Sequence, residues 1–489
     1  MTTDCILVLD EGTTSTRAIV YKTDGTVLHV AQAELTQHYP APGWVEHDAA
    51  EIWTRTLACA REVIAKAGGP HCIAALGITN QRETVVAWDR ATGEPITPAI
   101  VWQDRRTAPL CAQLRDAGHE EALQALTGLV IDPYFSGSKM RWILDNVPEA
   151  RALGDRLAFG TVESWLVWKL TGGLHVSDAT NASRTQLLAL DGDDWDEGLL
   201  DLFGVPRAAL PAIVDTHGAI GTCDPAVLGA AIPITGLAGD QQAATIGQHC
   251  LSFGQTKATF GTGAFVLTNM GSHLPRSSHR LLGTVLCQHA GERTYALEGS
   301  IFVAGSLIKW LRDELGVIRT ADESEVLARS VTTNGGVLFI PALAGLGAPH
   351  WKPDATGVLA GLTQGSSRAH IVRAAMESLA HQCHDLQSAF AADGAPWKTL
   401  RIDGGMSAND WIAQDLADIL ALRVERPADT ETTALGAAML AGVGAGLHQS
   451  LEDAMSMGGA CHDFDPAMDE ATRAGRIDLW REGLQRHLG

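Results

Sequence analysis

One strand–turn–strand plan occurs twice in this chain and limits what it can fold into. The first copy, ILVLDEGTTSTRAIVY, runs from Ile6 to Tyr21; the second, TKATFGTGAFVLTN, runs from Thr256 to Asn269, about half a chain later. The apolar flanks of each copy read as strands buried on both faces. A plain hairpin does not need the residues at the turns. The first turn carries Asp10, Glu11, Gly12 and the hydroxyls of Thr13, Thr14, Ser15 and Thr16; the second carries Gly261, Thr262 and Gly263. A glycine turn lets backbone N–H groups converge, and hydroxyls add donors, which makes a cradle for an anion. Asp10 and Glu11 fit beside an anion only if a cation lies between, so the expectation is a metal-bound phosphate with the carboxylates facing Mg²⁺ directly or through its waters. Either hairpin alone is explained by ordinary turn chemistry. Together they imply two similar domains facing each other.

A chain of 489 residues exceeds what one hydrophobic core usually supports, which agrees with two domains. The boundary is expected near residue 248, where Gly247 and Gly254 interrupt the sequence. The formal charge of -21 argues against nucleic-acid or membrane-surface binding, which needs a basic field, but not against a local anion site. No apolar run is long enough to insert in a membrane, and the N-terminus lacks a basic region and a long apolar core, so neither membrane insertion nor a secretory signal is expected. Nine cysteines without a C-x-x-C pair read as free thiols in a reducing compartment, so the expected location is the cytoplasm.

Between the hairpins and after them, apolar strand-like runs alternate with helical patterns, which indicates α/β architecture. IAALGITNQ reads as a strand ending in polar residues. HDAAEIWTRTLACAREVIAKAGG reads as a helix with Asp48 as N-cap and Gly68 as stop. Further helices are expected from about Ser300 to Leu315, Ala369 to Ala391 and Ala408 to Leu420.

Polar residues at strand ends supply the chemistry. A third glycine turn, LRIDGGMSANDW, places Asp403, Gly404 and Gly405 between a strand and a helix, with Ser407 as a possible cap; a helix N-terminus there favours a phosphate or a polar nucleotide edge. Arg82 and Glu83 follow a strand ending at Ile78, and Trp102 with Gln103, Asp104, Arg105 and Arg106 follows another apolar run. An Arg–Glu pair is often a surface salt bridge; here donor and acceptor side by side also suit adjacent hydroxyls of a polyol, with Trp102 over the carbon skeleton. Asp240, after a strand and before a helix, serves either as an N-cap or as a general base that takes a hydroxyl proton, with Gln241 orienting the same hydroxyl.

These segments, with DPYFSG, DATNASRT and LFIPALAGLGAPHW, resemble the FGGY family of carbohydrate kinases over nearly the whole chain. NQRE, WQDRR and DPYFSG in this order are the specific part. The resemblance implies an α/β fold of two ribonuclease-H-like domains in the actin-like ATPase arrangement, residues 1–248 and 249–489, with an interdomain cleft. It implies transfer of the ATP γ-phosphoryl group to glycerol, giving sn-glycerol 3-phosphate, with another polyol or sugar as the alternative substrate. Carried over by position, Arg82, Glu83, Trp102, Tyr134, Asp240, Gln241 and Phe265 form the polyol pocket and Asp240 is the base. Asp10 helps place Mg²⁺. Thr13, Thr14, Ser15 and Arg17 meet the nucleotide phosphates, and Thr262, Gly305, Gly405 and Asn409 bind nucleotide from the second domain. A homo-oligomer, dimer or tetramer, is the expected assembly. The chain departs from the family pattern in three places. Glu11 stands where Gln is usual, an extra carboxylate expected near the metal. Lys309 stands where Gln is frequent, near the expected nucleotide site. GTCDPAVLGAAIPITG lacks the Gly-Gly-Lys-Gly loop and following Arg that bind fructose 1,6-bisphosphate in many members.

Overall fold

The first hairpin lies at the centre of a six-stranded sheet. Its strands are β1 (Cys5–Glu11), β2 (Ser15–Lys22), β3 (Val27–Glu34), β4 (Ile73–Asn80), β5 (His217–Thr222) and β6 (Pro233–Gly239), in the order β5-β6-β4-β1-β2-β3. β1, β2 and β3 run antiparallel in succession, whereas β4 pairs parallel with β1 and β6 parallel with β4. The continuous apolar run Ile6–Leu9 is fully buried, as a strand covered on both faces requires. The structure is a computed structural model and describes residues 4–352, 354–428 and 431–488.

Helix α1 (Ala49–Lys66) covers one face. Asp48 caps it by accepting from the Ala50 N–H at 2.8 Å, and Ile52, Cys59, Ala60 and Val63 face the core at helical spacing. The insertion between β4 and β5 builds a lobe with its own core, including Val85, Ile100, Met140, Phe159 and Phe203. This lobe carries Trp102 and Tyr134.

After β6, helix α2 (Asp240–Gly247) leads to a second sheet. Its strands are β7 (Gln255–Phe260), β8 (Ala264–Gly271), β9 (Leu282–His289), β10 (Glu292–Ile301), β11 (Thr399–Asp403), β12 (Val424–Pro427) and β13 (Cys461–Phe464), in the order β9-β10-β8-β7-β11-β12-β13. Without the extra edge strand β9, the two sheets share one plan. In each, the hairpin is central, a third antiparallel strand lies on its far side, two parallel strands lie on its near side, and an antiparallel strand closes the edge. The duplicated hairpins are therefore equivalent elements of two ribonuclease-H-like domains.

Helices α3 (Gly305–Asp313), α4 (Arg368–Ala392), α5 (Asp410–Leu420) and α6 (Thr432–Gly444) belong to the second half. α3 starts later than its sequence pattern indicates because β10 holds the chain extended to Ile301. At α5 the cap is Asn409, whose Oδ1 accepts from the Ile412 N–H at 3.1 Å; Ser407, the expected cap, instead donates its hydroxyl to the Gly404 carbonyl at 2.7 Å. β4 likewise runs on to Asn80, two residues past the expected end at Ile78, because its neighbours β1 and β6 continue the ladder.

α6 returns to the first domain. Its Ala434, Ala437, Ala438 and Ala441 pack with Ile6, Val8, Ala75 and Ala238 of the first sheet. It crosses α2 with backbones in contact: a Cβ on Gly436 would lie 1.8 Å from the Ala243 carbonyl oxygen, and one on Gly247 2.0 Å from that of Thr432. A cut at residue 248 divides the two sheets but not the two cores.

Period-two alternation sends Asp10 and Glu11 to opposite faces of β1. Glu11 points toward α1, is fully buried, and accepts hydrogen bonds from the Thr16 and Thr56 hydroxyls. This corrects the expectation of an extra carboxylate beside the metal: the side chain lies in the first core, on the other side of the sheet from Asp10. Burial raises its pKa from 4.5 to about 8 against the opposing effect of the two hydroxyls, so Glu11 is mainly protonated at neutral pH. The folded protein binds this proton more tightly than the unfolded chain does. The resulting stability is complete below the unfolded pKa and is lost as pH rises through about 8. Glu11→Gln is expected to remove that dependence. In thermal melts at about pH 5 and about pH 9, the variant's Tm should fall by several degrees less than that of the parent; identical pH slopes would contradict this.

Candidate active site

Three parallel neighbours end at one edge. Across β1, β4 and β6, Asp10 is opposite Thr79, Glu11 opposite Asn80, and Asn80 opposite Gly239. The residues that leave these strands therefore share the C-terminal edge of the sheet: Asp10 with the Gly12 turn, Arg82 and Glu83 after Asn80, and Asp240 after Gly239. In open α/β sheets such an edge is where ligands bind. The turn is tight, with the Gly12 N–H donating to the Ser15 carbonyl at 3.0 Å. Glu83 sits at φ 63°, in the left-handed region that non-glycine residues seldom occupy, which marks a locally strained backbone at this edge.

Four charged side chains are buried together here. Arg82 donates through Nη1 to Glu298 Oε2 at 2.6 Å and through Nη2 to Glu298 Oε1 at 3.2 Å. Its Nε lies 3.4 Å from Asp240 Oδ1 and 3.9 Å from Glu83 Oε1, and its Nη2 also reaches the Tyr134 hydroxyl at 3.5 Å. Arg184 donates from Nε to Glu83 Oε1 at 2.6 Å and from Nη2 to Glu298 Oε1 at 3.0 Å. Two guanidinium groups thus face two carboxylates, with Asp240 at the margin and 29% of its side chain exposed. Burial alone would raise the Glu298 pKa, but Arg184 and Arg82 outweigh it and hold the group down to about 2. For Asp240 the balance goes the other way. Burial raises its pKa more than Arg82 and Lys257 lower it, and Asp10 adds to the rise, which leaves a stronger base than a free aspartate.

An aromatic wall closes the side of the cluster. Trp102 lies edge-on to Tyr134, with centroids 5.6 Å apart, and to Phe265 of the second domain at 6.4 Å. The Trp102 Nε1–H donates to Thr13 Oγ1 at 2.9 Å, which ties this wall to the first glycine turn. Lys139, fully buried, donates to the carbonyls of Pro133, Tyr134 and Phe135 and fixes the loop that carries Tyr134.

From the second domain, Lys257 on β7 donates to the Gln241 side-chain oxygen and, at 2.9 Å, to Thr259 Oγ1. Burial lowers its pKa to about 8 despite the fields of Asp403 and Asp240. The second glycine turn adjoins α3: the Gly305 N–H donates to the Gly261 carbonyl at 2.9 Å and the Ser306 N–H to that of Thr262 at 3.0 Å. The third turn lies against it. Gly404 has φ +83°, and a Cβ there would come within 2.4 Å of the Phe260 carbonyl oxygen, so only glycine fits this approach. Thr14, Thr262 and Gly405, one on each of the three backbone turns, are exposed.

The seven residues expected at the polyol pocket (Arg82, Glu83, Trp102, Tyr134, Asp240, Gln241 and Phe265) are linked by contacts into one cluster. Of the expected nucleotide set, Thr13, Thr14, Ser15 and Arg17 follow Gly12, and Thr262, Gly305, Gly405 and Asn409 lie on the adjoining turns of the second domain. Arg17 pairs with Asp10 at 2.6 Å and with Glu431. Most of WQDRR is structural. Arg106 is held by Asp104 and Glu46 and stacks over Trp44 at 3.8 Å, and Arg105 pairs with Asp132. Lys309 is an exposed residue of α3. Sequence reasoning assigned nothing to Glu298, Arg184 or Lys257. Their one signal is a lone charge inside an otherwise apolar or small-residue stretch, TYALEGSI, NASRTQLLAL and TKATF.

Comparison with known proteins agrees with this architecture. The description "FGGY family of carbohydrate kinases, N-terminal domain" matches residues 5–247, and the corresponding C-terminal domain matches residues 256–445. A glycerol kinase of Aromatoleum aromaticum is 52% identical over 489 residues, covering 99% of each chain. One from Rhodospirillum centenum is 52% identical over 487 residues, covering 99% of this chain and 98% of the relative. Among solved structures, Plasmodium falciparum glycerol kinase with ADP superposes with a TM-score of 0.95 at 35% identity, covering 99% of this chain and 98% of that one. A xylulose kinase from Lactobacillus acidophilus, at 22% identity and a TM-score of 0.91 over 99% of this chain and 98% of that one, shares the fold.

Proposed function

The chain belongs to the FGGY family of carbohydrate kinases, and from that premise we propose that it transfers the γ-phosphoryl group of ATP to glycerol. The observation that carries this reading is the position of Asp240, partly exposed and in the fields of the Arg82 guanidinium and of Lys257 from the second domain. Glycerol has little apolar surface, so it must be recognised through its hydroxyls. Arg82 donates, Glu83 accepts, and Trp102, Tyr134 and Phe265 enclose the carbon chain and exclude water. A substrate that leaves these buried groups unpaired loses about 1–3 kcal/mol for each.

In the reaction Asp240 accepts the proton of the attacking glycerol hydroxyl while that hydroxyl's oxygen bonds to the γ-phosphorus. The bond from that phosphorus to the bridging oxygen breaks and ADP leaves. Gln241, held by Lys257, orients the hydroxyl. Thr13, Thr14, Ser15 and Arg17 receive the phosphates from one side, and Thr262, Gly305, Gly405 and Asn409 receive the nucleotide from the other. Asp10 would hold Mg²⁺. Asp10 offers one carboxylate beside a hydroxyl-rich turn, paired with Arg17 at 2.6 Å, and a single protein ligand fits an ion that keeps most of its waters and arrives on the phosphates. When bound, the ion neutralises charge on the transferring group. The cytoplasm as location and a homo-oligomer as assembly belong to the same reading; among the described residues no helix is long and apolar enough to cross a membrane.

ADP release measured with glycerol, erythritol and a set of ketoses tests the substrate. Glycerol should give the highest kcat/KM, and a higher value for another compound would reassign the enzyme within its family. Fructose 1,6-bisphosphate should not inhibit. The segment Gly221–Gly236 supplies no cation of its own, and Arg61, which reaches it from α1, is bound to the Val227 carbonyl at 2.9 Å. Strong inhibition at about millimolar concentration, which corresponds to a binding free energy of about -4 kcal/mol, would contradict this.

A further inference from the structure

Glu298 has no place in the reaction described above, yet it touches the residues that do. It lies on β10, opposite Leu267 on one neighbouring strand and Leu282 on the other, and is fully buried. A carboxylate there carries a desolvation cost that an apolar side chain of the same size would avoid, so fold stability alone does not account for it. Its two oxygens meet both terminal nitrogens of Arg82, and Oε1 also accepts from Arg184, which in turn holds Glu83. We propose that Glu298 is a positioning residue for polyol recognition: a carboxylate of the second domain that sets the orientation of the Arg82 guanidinium and, through Arg184, that of the Glu83 carboxylate.

The geometry gives the reason. An arginine side chain has several rotatable bonds, and one left unanchored at a cleft edge would sample many orientations. Two parallel N–H···O bonds remove that freedom and leave Nε turned toward Asp240 and Glu83. Because Glu298 and Arg82 belong to different domains, their contact also makes the polyol site depend on how closely the domains approach. The inference rests on the proposed roles of Arg82 and Glu83, so the test must separate the two.

The test is steady-state kinetics, varying glycerol and ATP separately, on the parent and on Glu298→Gln and Glu298→Asp, with thermal melts of all three. An inactive parent would overturn the proposed function itself. With an active parent, Glu298→Gln is expected to raise the glycerol KM at least tenfold and leave the ATP KM within about twofold. Glu298→Asp keeps the charge but is too short to span Arg82 and Arg184 together; it should raise the glycerol KM by a smaller factor. A role in folding alone would lower Tm without separating the two KM values. A glycerol KM within twofold of the parent in either folded variant, or equal rises for glycerol and ATP, overturns the assignment. If Glu298→Gln does not fold, Glu298→Asp decides by the same criterion.

Discussion

Asp240→Asn is expected to lower kcat by about 10²–10⁴-fold while the glycerol KM changes much less. The amide keeps the shape and the acceptor oxygen that receives the Gln241 N–H at 2.7 Å, so the start of α2 stays intact. It removes the ability to take a proton. Burial keeps the Asp240 carboxylate above the ordinary aspartate pKa, which strengthens it as a base, while Arg82 and Lys257 oppose that rise. Stopped assays of ADP formation at saturating ATP check this. Near-normal kcat would remove Asp240 from the proton transfer.

Arg82→Met should produce the second large effect, and in stability as well as activity. Arg82 and Arg184 balance Glu83 and Glu298 in a site closed to solvent. Methionine fills a similar volume but leaves two buried carboxylates facing one guanidinium. Removing one partner from a buried ionic cluster costs about 3–5 kcal/mol, because the remaining charge stays desolvated. At about 2–4 °C per kcal/mol for a domain of this size, Tm should fall by roughly 10 °C. Activity at subsaturating glycerol should fall further than activity at saturating ATP alone would indicate, since the lost guanidinium also binds the polyol. An unchanged Tm would show that the cluster is more hydrated than its burial implies.

Much of this was legible in the sequence because the informative residues stand at strand ends. Asp10, Arg82, Glu83 and Asp240 each follow an apolar run, and parallel pairing of those runs brings their ends together without any further information. The repeated hairpin likewise announced two equivalent sheets. Three features were not readable, each for a physical reason. The side chain direction of Glu11 depends on which face of β1 meets α1, and both faces of that strand are apolar, so alternation gives no sign of which is the cleft side. Glu298 and Arg184 pair across 114 residues, and Lys257 meets a glutamine, not a charge; nothing in the spacing reveals such partners. α6 is apolar all round, which signals a helix buried between elements, but its return to the first sheet is set by the glycine crossing with α2.

The central claim is that the glycine turns of two domains hold one triphosphate opposite Asp240. It is tested most directly by a crystal structure of the protein with glycerol, Mg²⁺ and a non-hydrolysable ATP analogue. The account predicts an Asp240 carboxylate oxygen about 2.6–3.2 Å from a glycerol hydroxyl, with that hydroxyl facing the terminal phosphorus between the Thr13 and Thr262 turns. A triphosphate bound away from either turn, or an Asp240 directed away from the hydroxyl, would contradict it.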